Sequence, residues 1–180
     1  IAMDAGVSTA LVHYHFATRE ALLAQALEYS YEIAGDVRVG SGPPADATHA
    51  QRLAAMIDQC LPTTPQLHDD WVLWLELWLR AVRHPELRPV AENLYGRMRA
   101  WFADEIAAGI AAGEFSPCDP DEVADRALAL LDGLGVRTLI GDSTIPLAHA
   151  RGVVAVSLAR DLGVSELSPV AATPSAARRP

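Results

Sequence analysis

Ile1-Ala2-Met3-Asp4-Ala5-Gly6-Val7-Ser8-Thr9-Ala10-Leu11-Val12-His13-Tyr14-His15-Phe16, running on into Ala17-Thr18-Arg19-Glu20-Ala21-Leu22-Leu23, is the stretch on which the reading of the whole chain turns. Residues 1–5 and the run from Ser8 to Tyr14 read as two short helices, and Gly6 between them tolerates the positive φ of a tight turn. Ser8 stands where its hydroxyl caps the second helix, leaving amides free toward an anion. Val7 and Phe16 are the apolar residues expected to pin both pieces to the next helix, and two short helices around a glycine turn make a helix-turn-helix shape. A longer helix then opens at Thr18, with Glu20 complementing its dipole, and runs to Asp36. Its apolar stripe is Leu22, Leu23, Ala26, Leu27, Ser30, Tyr31 and Ala34.

Working outward, every patterned segment has helical spacing, and no period-2 run bounded by hairpin turns is found. The fold is therefore expected to be all-α. Breaks at Gly6, Ala17-Thr18, Val39 to Pro44, Pro62 to Pro65, Pro85, Ser116 to Pro120, Ile145-Pro146 and Gly163 cut the chain into about eight helices. From Trp71 to Arg83 the apolar face is Trp71, Trp74, Leu75, Trp78, Leu79 and Val82, with Glu76 and Arg80 paired at i, i+4. His68, Asp69 and Asp70 precede it and read as its cap, or as a weak metal candidate. The following helix begins near Pro89, places Val90, Leu94, Met98, Trp101, Phe102, Ile106 and Ile110 on one side, and ends at Gly113. Asp119-Pro120-Asp121-Glu122 is a strong helix start, and its helix reaches Gly141. That helix and the last one, Pro146 to Leu162, are apolar around most of their circumference. Such helices must be covered on both sides, which predicts a homodimer through these last two helices. Within the first of the pair, Gly133 and Gly135 permit either close helix approach or room for a ligand. The segment 164–180, rich in Pro, Ala and Ser, reads as disordered.

An apolar fraction of 51% over 180 residues is enough for a sizeable core. Cys60 and Cys118 lack the spacing of a disulfide framework or a zinc site, and an i, i+2 pair such as His13 and His15 points its rings about 200° apart on a helix. No metal or cofactor is expected. No apolar run approaches the roughly 18 residues of a membrane span, so the expectation is a cytoplasmic protein that contacts no membrane. The net charge of −9 argues against general nucleic-acid binding, and residues 1–36 carry only Arg19 against five acids. Ile1 also falls inside what reads as a helix, so a first helix, with further cations, is expected ahead of it. All 14 cations are arginine.

The quoted stretch, with its Ala-Gly-Val-Ser turn, aromatic-His-Phe ending and Arg-Glu-x-Leu-Leu opening in register, resembles the DNA-binding domain of the TetR family. The resemblance covers residues 1–36 and implies a recognition helix over residues 8–14. It implies that Thr9, Ala10 and Leu11 face base edges, while Ser8, His13, Tyr14, His15 and Arg19 face the phosphate backbone. Leu11 and His13 depart from the hydroxylated residue and the Tyr that are usual in the family; Leu11 suits a thymine methyl.

Trp74-Leu75-Glu76-Leu77-Trp78, the turn Arg83 to Arg88, Tyr95 to Phe102, Ala112 to Phe115 and Leu131 to Leu134 resemble the C-terminal domain of BetI-type TetR regulators over residues 47–163. This implies a ligand-binding and dimerisation domain. Trp71, Trp74, Trp78, Tyr95, Met98 and Phe102 are the candidate ligand-binding residues; the same stripe also reads as core. Aromatic faces with Glu76 nearby would suit a cationic or quaternary ammonium effector. The expected function is a regulator, with a repressor's logic, whose dimer binds a palindromic operator in double-stranded DNA. An effector would tilt the helix beginning at Thr18 and misplace the recognition helices. Two other classes fit the same composition, a helical carrier or interaction module that never touches DNA and an all-α enzyme. For the enzyme, no Gly-rich phosphate loop, Gly-x-Ser-x-Gly or metal-ligand spacing is present.

Overall fold

Among the described residues, the expected breaks at Ala17-Thr18, Pro62 to Pro65, Pro85, Ser116 to Pro120, Ile145-Pro146 and Gly163 fall between helices or at their ends. The computed structural model describes residues 2, 3, 5–22, 24–26, 29 and 43–168, and every regular element among them is helical. We label these α1 (Thr9–His15), α2 (His49–Gln59), α3 (Pro65–Arg83), α4 (Arg88–Ala111), α5 (Pro120–Leu139) and α6 (Leu147–Leu162), with a 3-10 turn at Pro85–Leu87 between α3 and α4. Residues 19–22 and 24–26 are also helical. The rest of the helix expected to reach Asp36 lies outside the described residues, as do residues 169–180 of the tail expected to be disordered.

Three local expectations are corrected. Residues 2, 3, 5 and 6 form a turn: Gly6 N–H donates to Met3 O at 3.1 Å and Val7 N–H to Ala2 O at 3.0 Å. With Gly6 at φ 65°, these two bonds are the Schellman pair that closes a helix C-terminus. Next, α3 begins six residues before Trp71, because Thr64 Oγ1 accepts from Leu67 N–H and Pro65 takes the first position, which needs no donor. His68, Asp69 and Asp70 are therefore inside the helix and do not cap it, and no metal cluster exists among the described residues. Finally, Ala26 is exposed, and Ala24 makes the apolar contact instead.

The chain divides into two compact units, Ile1–Gly40 with Thr64–Met98 and Ser41–Thr63 with Arg99–Pro180. The first is centred on Leu77, Ala81, Leu87 and Leu94, against which Ala24, Leu73, Trp74, Val90 and Met98 pack. The second has the larger core. Leu53, Ile57, Leu61, Phe102, Ile106, Leu131, Val154 and Leu158 are fully buried there. In it α5 packs on α6, and α2 on α6. Arginine forks tie these helices together: Arg99 to Asp121 and Asp125 at 2.7 Å each, Arg126 to Asp161 at 3.0 Å, and Arg151 to Asp58. His49 pairs with Glu105 at 2.7 Å, and the Glu114 carboxylate accepts from the amide of His49 at the start of α2. The turn after α5 is clamped by Asp142, whose carboxyl is held down to about 2 by hydrogen bonds from the Thr144 hydroxyl and amide and from Arg137.

A tight point in the second unit makes a prediction. Gly109 lies flat beneath the buried Phe115 ring, and a methyl there would overlap that ring. Helix propensity favours alanine by about 1 kcal/mol, but displacing a packed ring costs about 1–3 kcal/mol. We expect Gly109→Ala to lose up to about 2 kcal/mol net, read as a fall in Tm of up to about 8 °C. A rise in Tm would show that the ring moves aside freely.

Candidate nucleic-acid interface and effector site

The first site is α1. Ser8 Oγ accepts from Leu11 N–H at 3.1 Å and so caps the helix, as its position in the turn predicts. None of the seven residues of α1 is buried. Ser8, Thr9, Ala10, Leu11, His13, Tyr14, His15 and Arg19 are all exposed, Tyr14 at 83% and Leu11 at 45%. Only Val12 is partly covered within the helix, with Phe16 one turn on. The i, i+4 pair Val12 and Phe16 therefore anchors α1 by one edge. Val7, expected as the pin, is 38% exposed and does not serve as one; the i, i+4 spacing was the signal that pointed to Val12. Tyr14 and His15 meet edge to face, centroids 5.2 Å apart. Thr18 Oγ1 accepts from Ala21 N–H at 3.0 Å, starting the next helix and placing Arg19 in its first turn.

The second site is the aromatic stripe of α3. Trp78 stacks on Tyr95 at 5.4 Å and 19°, meets Trp71 at 6.3 Å and 77°, and meets Trp74 at 5.9 Å and 44°. Four of the six candidate ligand residues thus converge in the first unit. Met98 packs on that unit's apolar core. Phe102 belongs to the second unit, where it is fully buried against Trp101. The Trp78 indole Nε1 is buried and donates to no group among the described residues.

Glu76 does not serve the cluster as expected. Arg80 holds it, donating from Nε to Glu76 Oε1 at 2.6 Å, in the i, i+4 pairing read from the sequence. Two positions from both Trp74 and Trp78, Glu76 lies about 200° around the helix from them. Arg80 also reaches Glu20 at 3.4 Å, a link between distant segments that no sequence spacing announced.

A small exposed helix capped by serine behind a tight glycine turn is the shape expected of the second half of a helix-turn-helix. Residues 49–163 match the family described as the C-terminal domain of BetI-type transcriptional repressors. The HTH-type transcriptional regulator BetI of Agrobacterium fabrum is 27% identical over 163 residues, covering 86% of this chain and 72% of its own. Among solved structures, a Saccharomonospora viridis protein assigned as a transcriptional regulator, in complex with choline, is similar with a TM-score of 0.77 and 30% identity, covering 93% of this chain and 84% of that one. A Rhodococcus sp. protein assigned to the TetR family gives a TM-score of 0.77 and 28% identity, covering 89% and 85%. The chain belongs to the TetR family of transcriptional regulators, with a BetI-type C-terminal domain. It is a DNA-binding regulator that responds to a small-molecule effector, and its relatives are regulators rather than enzymes. No described helix is long and apolar enough to cross a membrane.

Proposed function

We propose that the protein represses transcription as a homodimer on a palindromic operator and is released by a quaternary ammonium effector. The reading is carried by the exposure of every candidate contact on α1, since a helix held by one edge leaves its remaining circumference free for the major groove. Thr9, Ala10 and Leu11 meet base edges, and Ser8, His13, Tyr14, His15 and Arg19 meet phosphates. Two such helices, one per protomer, enter successive major grooves about 34 Å apart. The surface proposed for dimerisation is the outer side of α5 and α6, where Ile140 and Val156 stand exposed and Leu130, Ala148 and Val153 line an open groove.

Trp71, Trp74, Trp78 and Tyr95 supply the π faces for the effector, and the unpaired Trp78 indole hydrogen suits an oxygen on the same molecule. The relative solved with choline supports this ligand class. Choline titrated into the full-length protein in a calorimeter is expected to bind and to weaken the protein's hold on its operator. Trp74→Leu keeps an apolar side chain, though a smaller one, and removes one π face, a loss of about 1–2 kcal/mol; choline affinity should fall about 5- to 30-fold. No heat from choline with the unaltered protein would remove the ammonium reading.

A further inference from the structure

Arg80 joins two segments far apart in the chain. On α3, Trp71, Trp74 and Trp78 occupy one face, and Glu76 and Arg80 project from the other. From there the guanidinium is gripped by Glu76 at 2.6 Å and extends its other nitrogen to Glu20 at 3.4 Å. Glu20 sits two residues after the Thr18 cap and directly after the exposed Arg19. Of the three side chains Arg80 is the most covered, at 18% exposed, so its position is fixed by α3 and not by solvent.

The two contacts are unequal. The Glu76 bond is fully formed, whereas the Glu20 bond is longer than the roughly 2.7–2.9 Å of a charge-assisted pair. It therefore has slack in both directions, closing if α3 moves toward Glu20 and opening if it moves away. A partly buried contact that can close or open with a small shift of one helix is suited to carry a displacement at one site to another. We infer that Arg80 is the positioning residue through which displacement of α3 by its effector reaches Glu20, and with it Arg19 and α1. Glu76 acts as the buttress that makes the guanidinium move with α3. A lysine cannot do this, because one ammonium lacks the planar fork that serves two carboxylates at once.

The inference rests on the reading that the aromatic face of α3 takes the effector, and the test separates the two. Operator affinity of the full-length protein is measured with and without saturating choline chloride, on duplex selected from random sequence by the unaltered protein. There choline should weaken binding about tenfold, within the usual range for coupled sites. Glu20→Gln leaves α3 and its rings untouched, so choline should bind it within twofold of the unaltered protein, yet the tenfold effect should shrink to threefold or less. Undiminished weakening in Glu20→Gln overturns the inference. A second arm needs no effector: Glu20→Gln, Arg80→Lys and the double variant should each reduce operator affinity by the same factor, since either change breaks one link. Losses that multiply in the double variant overturn it. If choline has no effect on the unaltered protein, the ammonium reading falls while the second arm still decides the role of Arg80.

Discussion

Phe102→Ala is expected to lower the free energy of unfolding by about 3–5 kcal/mol, the usual consequence of emptying a phenylalanine site in a closed core. The ring is fully buried on α4, in a unit where Ile106, Leu131 and Leu158 are equally inaccessible. Nothing around it can collapse without disturbing helices already tied by arginine forks. Thermal melting should record a fall in Tm of about 6–20 °C. Sequence spacing alone placed Phe102 with the ligand candidates, and that assignment makes the opposite prediction. A side chain lining an open cavity would leave Tm near its starting value and weaken effector binding instead.

Leu11→Glu should act on DNA and leave the fold alone. At 45% exposure in the first turn of α1, the position has no core to disturb, and a carboxylate there sits well with the helix dipole. Stability should stay within about 0.5 kcal/mol of the unaltered protein. Against a duplex the same carboxylate meets phosphates and base acceptors, where like charges cost several kcal/mol. Operator affinity should drop at least about 100-fold, or ~2.7 kcal/mol. Tight operator binding by a folded Leu11→Glu protein would mean that this face of α1 does not meet the duplex.

The all-helical fold was legible because its punctuation is chemical: Ser8 and Asp119 accept the caps, and Gly113, Gly141 and Gly163 close helices with positive φ. The start of α3 was misread because His68, Asp69 and Asp70 are polar. Polarity there reflects an exposed side, while the true cap lay at a Thr-Pro pair upstream. That residues 9–15 form an exposed, serine-capped helix was legible from a dense local motif. The pairing of Glu20 with Arg80 was not, since nothing in a linear pattern brings together residues separated by so much chain. Nor did the net charge of −9 give the right weight to the arginines. Arg80, Arg99, Arg126, Arg137 and Arg151 are engaged by carboxylates of their own chain, so overall acidity says little about the surface around α1.

The bare side of α6 also bears on gene dosage. Gly152 and Val156 line an open groove, and both are exposed among the described residues. If a twin copy fills it, occupancy at a promoter grows with the square of protomer abundance while monomers predominate and the operator is far from saturated. Halving synthesis would then cut occupancy about fourfold, so scarcity alone could open the promoter before any inducer arrives.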